Sequence, residues 1–312
     1  MPAIEARGLT RSFGELKAVD GLDLEIPAGE IFGLVGPDGA GKTTTMRLLT
    51  AVLDPTAGSA RVLGLDTVRE SEAIKEQIGY MSQRFGLYPD LTVLENVHFY
   101  ADLYGEPRRG REERIDDLLA FSNLTPFKKR QARHLSGGMK QKLGLVCALI
   151  HTPKVLFLDE PTNGVDPVSR RDFWRILYRL VRDGLTILVS TAYLDEAERC
   201  NRVGLLHQGR LLAVDTPEEV KKIMGRTLLE VRAERPRQAM LVLRERLPDA
   251  SVGLFGERIH IATAHPEEVR SAAPGLLREA GLALEEIRPI EPSLEDVFIS
   301  VLEEREERGE SV

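Results

Sequence analysis

Apolar residues fall along the chain in two rhythms. Some form short runs: Ile31-Phe32-Gly33-Leu34-Val35, Val155-Leu156-Phe157-Leu158 and Leu185-Thr186-Ile187-Leu188-Val189-Ser190. Such runs predict strands, and Val155–Leu158 fits a central parallel strand covered on both faces. Others recur at helical spacing. These are Met46, Leu49 and Leu53; Val93, Leu94, Val97, Tyr100, Ala101 and Tyr104 within 92–104; Ile115, Leu118 and Leu119, with Phe121-Ser122; and Leu143, Val146 and Ile150. The mixture predicts an α/β fold with a compact helical subdomain at about 84–150.

Near Gly225 the pattern changes. From there the chain reads strand (Leu228–Ala233), helix (Pro236–Leu247), strand (Ser251–Phe255), strand (Arg258–Thr263), helix (Pro266–Ala280), strand (Ala283–Ile290) and helix (Ser293–Glu303). Strand, helix, strand, strand, helix, strand is the ferredoxin-like order. The expected division is therefore 1–225 and a small α+β domain at 226–312. The last helix puts Leu294, Val297, Phe298, Val301 and Leu302 on one face, so it packs on something. The charged tail from Glu303 to Glu310 is expected to fray. No catalytic constellation stands out here. The region either regulates and supports a dimer or is a passive appendage that adds interface area.

Composition narrows the classes. Of 312 residues, 42% are hydrophobic and 29% charged, as in a globular protein rather than a disordered one. Net charge is -7, which argues against a nucleic-acid partner whose phosphates need a basic face. The longest apolar run, Leu143 to Ile150, has eight residues, far short of the roughly 20 a membrane helix needs. The N-terminus lacks the basic start and apolar core of a signal peptide. The expectation is a cytoplasmic chain whose membrane role requires a spanning partner. Cys147 and Cys200 match no metal or redox spacing and read as packed thiols.

Chemistry enters between the first buried run and the helix behind it. Gly36-Pro37-Asp38-Gly39-Ala40-Gly41-Lys42-Thr43 fits G-x-x-x-x-G-K-[ST]. The glycines let backbone N–H groups from Gly36 through Asp38, Gly39, Ala40 and Gly41 to Thr44 turn inward around phosphate oxygens. Lys42 brings positive charge to the β and γ phosphates, and the Thr43 hydroxyl suits Mg²⁺, a hard cation. The helix N-terminus adds a favourable dipole. An ordinary glycine turn is the plain alternative. The glycines run G-x-x-G-x-G, not the G-x-G-x-x-G of dinucleotide-binding loops. The Val155–Leu158 strand ends in Asp159-Glu160. Acids at the carboxyl end of such a strand face the crevice where open α/β sheets bind ligands. Asp159 would hold Mg²⁺ and Glu160 would act as general base on water; a solvated strand end is the alternative.

Leu135-Ser136-Gly137-Gly138-Met139-Lys140-Gln141 offers an N-cap serine and two glycines before a helix, a second anion-binding terminus. It resembles the signature motif of ATP-binding cassette (ABC) ATPases, and the resemblance covers about the first 220 residues. It implies a P-loop ATPase domain with a RecA-like core, an antiparallel β subdomain and a helical subdomain, working with ATP and Mg²⁺. Gln83 resembles the Q-loop glutamine, which touches Mg²⁺ and the membrane partner. Phe13 matches the aromatic that stacks on adenine; a core phenylalanine is the alternative. Asn163-Gly164-Val165-Asp166 matches the D-loop, which crosses between subunits. The signature of one subunit closes over the phosphates of the other, so Ser136 and Gly138 serve a partner's ATP and a lone subunit is nearly inactive. Ser293-Leu294-Glu295-Asp296-Val297-Phe298 resembles the ending of daunorubicin-resistance-type drug-export ATPases. The implied partners are ABC-2-type permease subunits and a second ATP-binding subunit, identical or different. The implied location is the inner face of the cell membrane. Phe85-Gly86-Leu87-Tyr88-Pro89 is either a docking surface or core, and Arg108-Arg109-Gly110-Arg111 reads as a solvated loop.

The sequence departs from the family once. Where a histidine is expected after the 185–190 strand, it has Ala192, within Thr191-Ala192-Tyr193-Leu194. A methyl group donates no hydrogen bond, and one transition-state donor is worth on the order of 10²–10³ in rate. The site hydrolyses slowly with Glu160 alone, or Tyr193 or Thr191 substitutes, or this cassette binds ATP and hydrolyses weakly or not at all beside a different partner subunit. Soluble ABC ATPases of ribosomes or chromosomes fit less well. The chain has one phosphate loop and one signature, and 93 residues lie between Lys42 and Ser136, both excluded.

Overall fold

The structure, a computed structural model, describes residues 1–83 and 86–307, with backbone only for 303–307. Phe85 of the expected docking segment and residues 308–310 of the charged tail lie outside the described residues.

Two long strands open the chain, β1 (Ile4–Phe13) and β2 (Leu16–Ile26). β3 (Ile31–Val35), α1 (Lys42–Leu49), β4 (Ala57–Val62), β5 (Leu65–Asp66), α2 (Ser71–Lys75) and β6 (Ile78–Met81) follow. Three helices come next: α3 (Val93–Leu103), α4 (Arg111–Phe121) and α5 (Gly137–Leu149). The first compact unit continues with β7 (Val155–Asp159), α6 (Pro167–Arg182), β8 (Thr186–Thr191), α7 (Leu194–Ala197), β9 (Arg202–His207) and β10 (Arg210–Asp215), and ends at Pro217.

A six-stranded sheet runs β10-β9-β3-β8-β7-β6. Every neighbouring pair from β9 to β6 is parallel, and β10 closes one edge antiparallel to β9. β3, β7 and β8 are buried at every position, which is why they read as apolar runs. Because β8 lies between β3 and β7, with Val35 opposite Thr191 and Asp159 opposite Ser190, the three carboxyl ends open at one edge of the sheet. A second sheet, β2-β1-β4-β5, is antiparallel throughout. Ile4, Leu9, Leu22 and Ile26 from it share one core with Phe32, Leu34, Met46, Leu48 and Phe157.

The helices carry local start signals. Thr92 caps α3 in a capping box with Glu95. The fully buried Asn96 amide donates to the carbonyls of Tyr88, Leu91 and Thr92, pinning the segment before the helix. Two expectations change. Leu53 lies beyond the end of α1 but still packs on the core. Arg111 is not solvated: its side chain is 11% exposed and pairs with Asp102 and the Glu106 carbonyl, because it opens α4 against the end of α3.

The second unit starts at Glu218, within α8 (Pro217–Lys222). It contains β11 (Thr227–Ala233), α9 (Pro236–Arg246), β12 (Ser251–Phe255), β13 (Arg258–Thr263), α10 (Pro266–Glu279), β14 (Leu284–Ile290) and α11 (Leu294–Glu307). α11 runs past the expected end at Glu303. The sheet order is β12-β13-β11-β14, antiparallel at every pair, which is the split βαβ arrangement. Leu229, Val231, Ile259 and Ile261 of the sheet meet Ala239, Leu243, Ala273 and Leu277 of α9 and α10. A polar cluster sits on this sheet. Glu230, buried, accepts from Arg258 and Arg288, and His260 Nδ1 lies 2.7 Å from Asp296 at the start of α11.

Candidate active site

The loop after β3 is shaped by steric exclusion. At Gly36 a Cβ would lie 2.1 Å from the Leu206 carbonyl oxygen, and at Gly41 (φ 103°) 2.3 Å from that of Ala18. Only glycine fits both places. Gly41 caps α1, whose first residue, Lys42, is 4% exposed. Its ammonium donates to the carbonyls of Gly36 (2.8 Å) and Pro37 (3.0 Å) and stands 3.2 Å from Glu160 Oε1.

β7 delivers the two acids to the same place. Asp159 is 1% exposed and accepts at Oδ1 from Ser190 (2.6 Å) and Thr43 (3.2 Å). Its second oxygen, Oδ2, is buried without a hydrogen-bond partner among the described residues. A buried carboxylate oxygen left open beside the Thr43 hydroxyl is a fit donor set for a hard divalent cation. Glu160 adopts a left-handed backbone (φ 49°), and its N–H donates to the Ser190 carbonyl and hydroxyl. Its Oε2 accepts from Gln83 Nε2 (2.9 Å) and Asn163 Nδ2 (3.3 Å). One cleft of about 460 Å³ is lined by Phe13, Leu16, Ala18, Asp38, Gly39, Gly41, Lys42, Thr43, Thr44, Gln83 and Glu160. Gly36, Ala40 and Asp159 are buried, while Phe13 is 47% exposed with the Arg11 guanidinium 4.7 Å from its ring centre. Phe13 is therefore not a core residue.

Ser136 and Gly138 are not part of this cleft. Ser136 caps α5, accepting from Met139 N, and is exposed. A Cβ on Gly138 would lie 2.4 Å from Ser169 Cβ, so the start of α5 packs tightly against the start of α6. Two residues without an assigned role in the sequence reading prove central. Ser190 holds both Asp159 and Glu160; a hydroxyl at the end of an apolar strand was the available signal. Glu196, fully buried, accepts from Thr162 (2.6 Å) and Thr191 (3.0 Å) and lies 3.2 Å from Arg170 Nε. The Thr191 hydroxyl is thus engaged by Glu196 in this structure.

Comparisons with known proteins place the whole chain in a family. A family model described as ABC transporter matches residues 19–163. The daunorubicin resistance ATP-binding protein DrrA2 of Streptomyces coeruleorubidus is 35% identical over 99% of this chain and 98% of its own length. This chain belongs to the ABC transporter ATP-binding proteins. The probable multidrug ABC transporter ATP-binding protein YbhF of Escherichia coli is 43% identical over 96% of this chain, which spans only 52% of YbhF. Among solved structures, a dimeric ATP-binding cassette in a post-hydrolysis state, bound to ADP and Pi, superposes with a TM-score of 0.62 at 27% identity, covering 68% of this chain and 98% of that one. The residues matched by the family model include the Gly36–Thr43 loop and Asp159-Glu160. Among the described residues no helix of this ABC protein is long and apolar enough to cross a membrane.

Proposed function

We propose that this chain hydrolyses ATP as one subunit of an ABC-2-type exporter, where ATP-driven closure onto a second cassette powers separate membrane-spanning subunits. The convergence of Lys42, Thr43, Glu160 and Gln83 on one cleft, with Asp159 bonded to Thr43 behind it, carries the reading. Loop N–H groups and Lys42 grip the β and γ phosphates. An arriving phosphate takes over Lys42 from Glu160, and the freed carboxylate draws the proton from the attacking water. Thr43, Asp159 and Gln83 would hold Mg²⁺, which neutralises charge on the phosphates. The exposed ring of Phe13 offers adenine a stacking face. Ser136 and Gly138, outside their own cleft, serve the ATP of the facing subunit; the dimeric relative bound to ADP and Pi supports that pairing. The words multidrug transporter in the name of YbhF and daunorubicin resistance in that of DrrA2 support drug export, and an exporter subunit would sit on the inner face of the membrane. The 226–312 region would regulate or steady the dimer.

Lys42→Ala tests the grip and Glu160→Gln tests the chemistry. The expected outcome is no Mg-dependent ATP binding in the first. In the second, binding is retained while turnover falls by roughly 10²-fold or more, the worth of a general base. A Glu160→Gln protein that turns over at the wild-type rate would contradict the assignment. Ala192 favours a second reading, an ATP-binding cassette that hydrolyses weakly or not at all beside an active partner. Phosphate release measured with and without the partner subunit separates the two.

A further inference from the structure

The loop after β8 has no donor at Ala192, yet the residue beside it is held in a defined place. Tyr193 stacks over the Arg170 guanidinium, 4.5 Å from its carbon to the ring centre. Arg170 is itself fixed by the buried Glu196. The Tyr193 hydroxyl lies 3.5 Å from Asn163 Oδ1, and the other end of that amide, Nδ2, lies 3.3 Å from Glu160 Oε2. A carboxylate only accepts, so the amide must present its nitrogen to Glu160 and its oxygen to Tyr193. The carboxylate sets that orientation, and the hydroxyl donating to Oδ1 tethers the amide in it. Both contacts are long, as catalytic hydrogen bonds often are before substrate arrives. Tyr193 is not among the residues that line the cleft.

We propose that Tyr193 is a positioning residue for hydrolysis: through Asn163 it holds the Glu160 carboxylate in place. The proposal rests on the reading of Glu160 as the base. Gln83 supplies the second donor to the same oxygen. With both amides engaged, Oε2 is fixed and Oε1 is the atom that must exchange Lys42 for water when ATP binds.

The test is phosphate release by the full chain assembled with its partner subunits, at saturating Mg-ATP, with nucleotide affinity measured separately. Tyr193→Phe keeps the ring over Arg170 and removes only the hydroxyl. It should lower kcat about three- to ten-fold, the size one neutral hydrogen bond carries, with KM for ATP and melting temperature unchanged. Asn163→Ala should lower kcat at least as much. The double variant should be no slower than Asn163→Ala, because the hydroxyl has nothing left to tether. A merely structural tyrosine would instead move melting temperature or KM. An unchanged kcat in Tyr193→Phe, or losses that multiply in the double variant, overturns the proposal. If Glu160→Gln abolishes turnover in the same assay, that failure belongs to Tyr193 alone. If Glu160→Gln turns over normally, or wild type releases no phosphate, the hydrolytic reading fails and takes this one with it.

Discussion

At Gly36 the protein has no room for a methyl group, and the constraint sits under the phosphate loop. The Leu206 carbonyl, 2.1 Å from where a Cβ would be, belongs to β9, which is fixed in the sheet beside β3. Gly36→Ala must therefore move the loop rather than the strand. Overpacking of this kind costs on the order of 1–3 kcal/mol. The expected result is a lower melting temperature together with weakened ATP binding; an alanine variant that melts and binds like wild type would show that the loop has slack. Much of this residue scale was legible, because Lys42, Thr43, Asp159 and Glu160 sit in patterns whose spacing encodes their meeting. Ser190 and Glu196 were not, nor was the bond from Asn163 to Glu160, since these contacts depend on which strand ends lie side by side. Arg111 misled for a related reason: a basic cluster looks solvated until a helix start turns one member inward.

At the scale of elements, the runs at β3, β7 and β8 were legible because both faces are covered. β1 and β2 were not read as strands. Their register shifts break the period-two pattern, and several of their positions face outward. α3 depends on its start signal. Thr92→Ala removes the cap to Glu95 and should lower stability by about 1 kcal/mol, measured by denaturant unfolding followed at the helical subdomain. No change would mean that Asn96 alone holds the segment. In the second unit the polar cluster on β11 and β13 makes a pH statement. Burial pushes the Glu230 and Asp296 carboxyls up, but the arginines beside Glu230, and His260 and Ser293 beside Asp296, outweigh it and hold both below the usual range. Lowered native values mean stability that is present above the unfolded values near pH 4 and lost as pH falls through the native ones. Asp296→Asn should therefore weaken the acid dependence of this unit's unfolding, followed by circular dichroism. An unchanged acid transition would show that the cluster contributes nothing to it.

At the scale of the whole molecule, the parallel order β9-β3-β8-β7-β6 explains why one cleft exists. It brings the ends of β3, β7 and β8 to a single edge, so residues more than a hundred positions apart, such as Thr43 and Asp159, meet there. The same order leaves Ser136 and Gly138 elsewhere, and the assembly reading follows from that separation. The α+β order of the last unit was legible from apolar periodicity alone, whereas what it does for the protein leaves no such trace in the residues. The central claim is that Lys42 and its loop grip the phosphates of ATP. Titrating the purified chain with ATP, with and without Mg²⁺, beside Lys42→Ala, tests it most directly. The account predicts saturable Mg-dependent binding to the wild type that the variant loses; equal binding by both proteins, or none by the wild type, would contradict it.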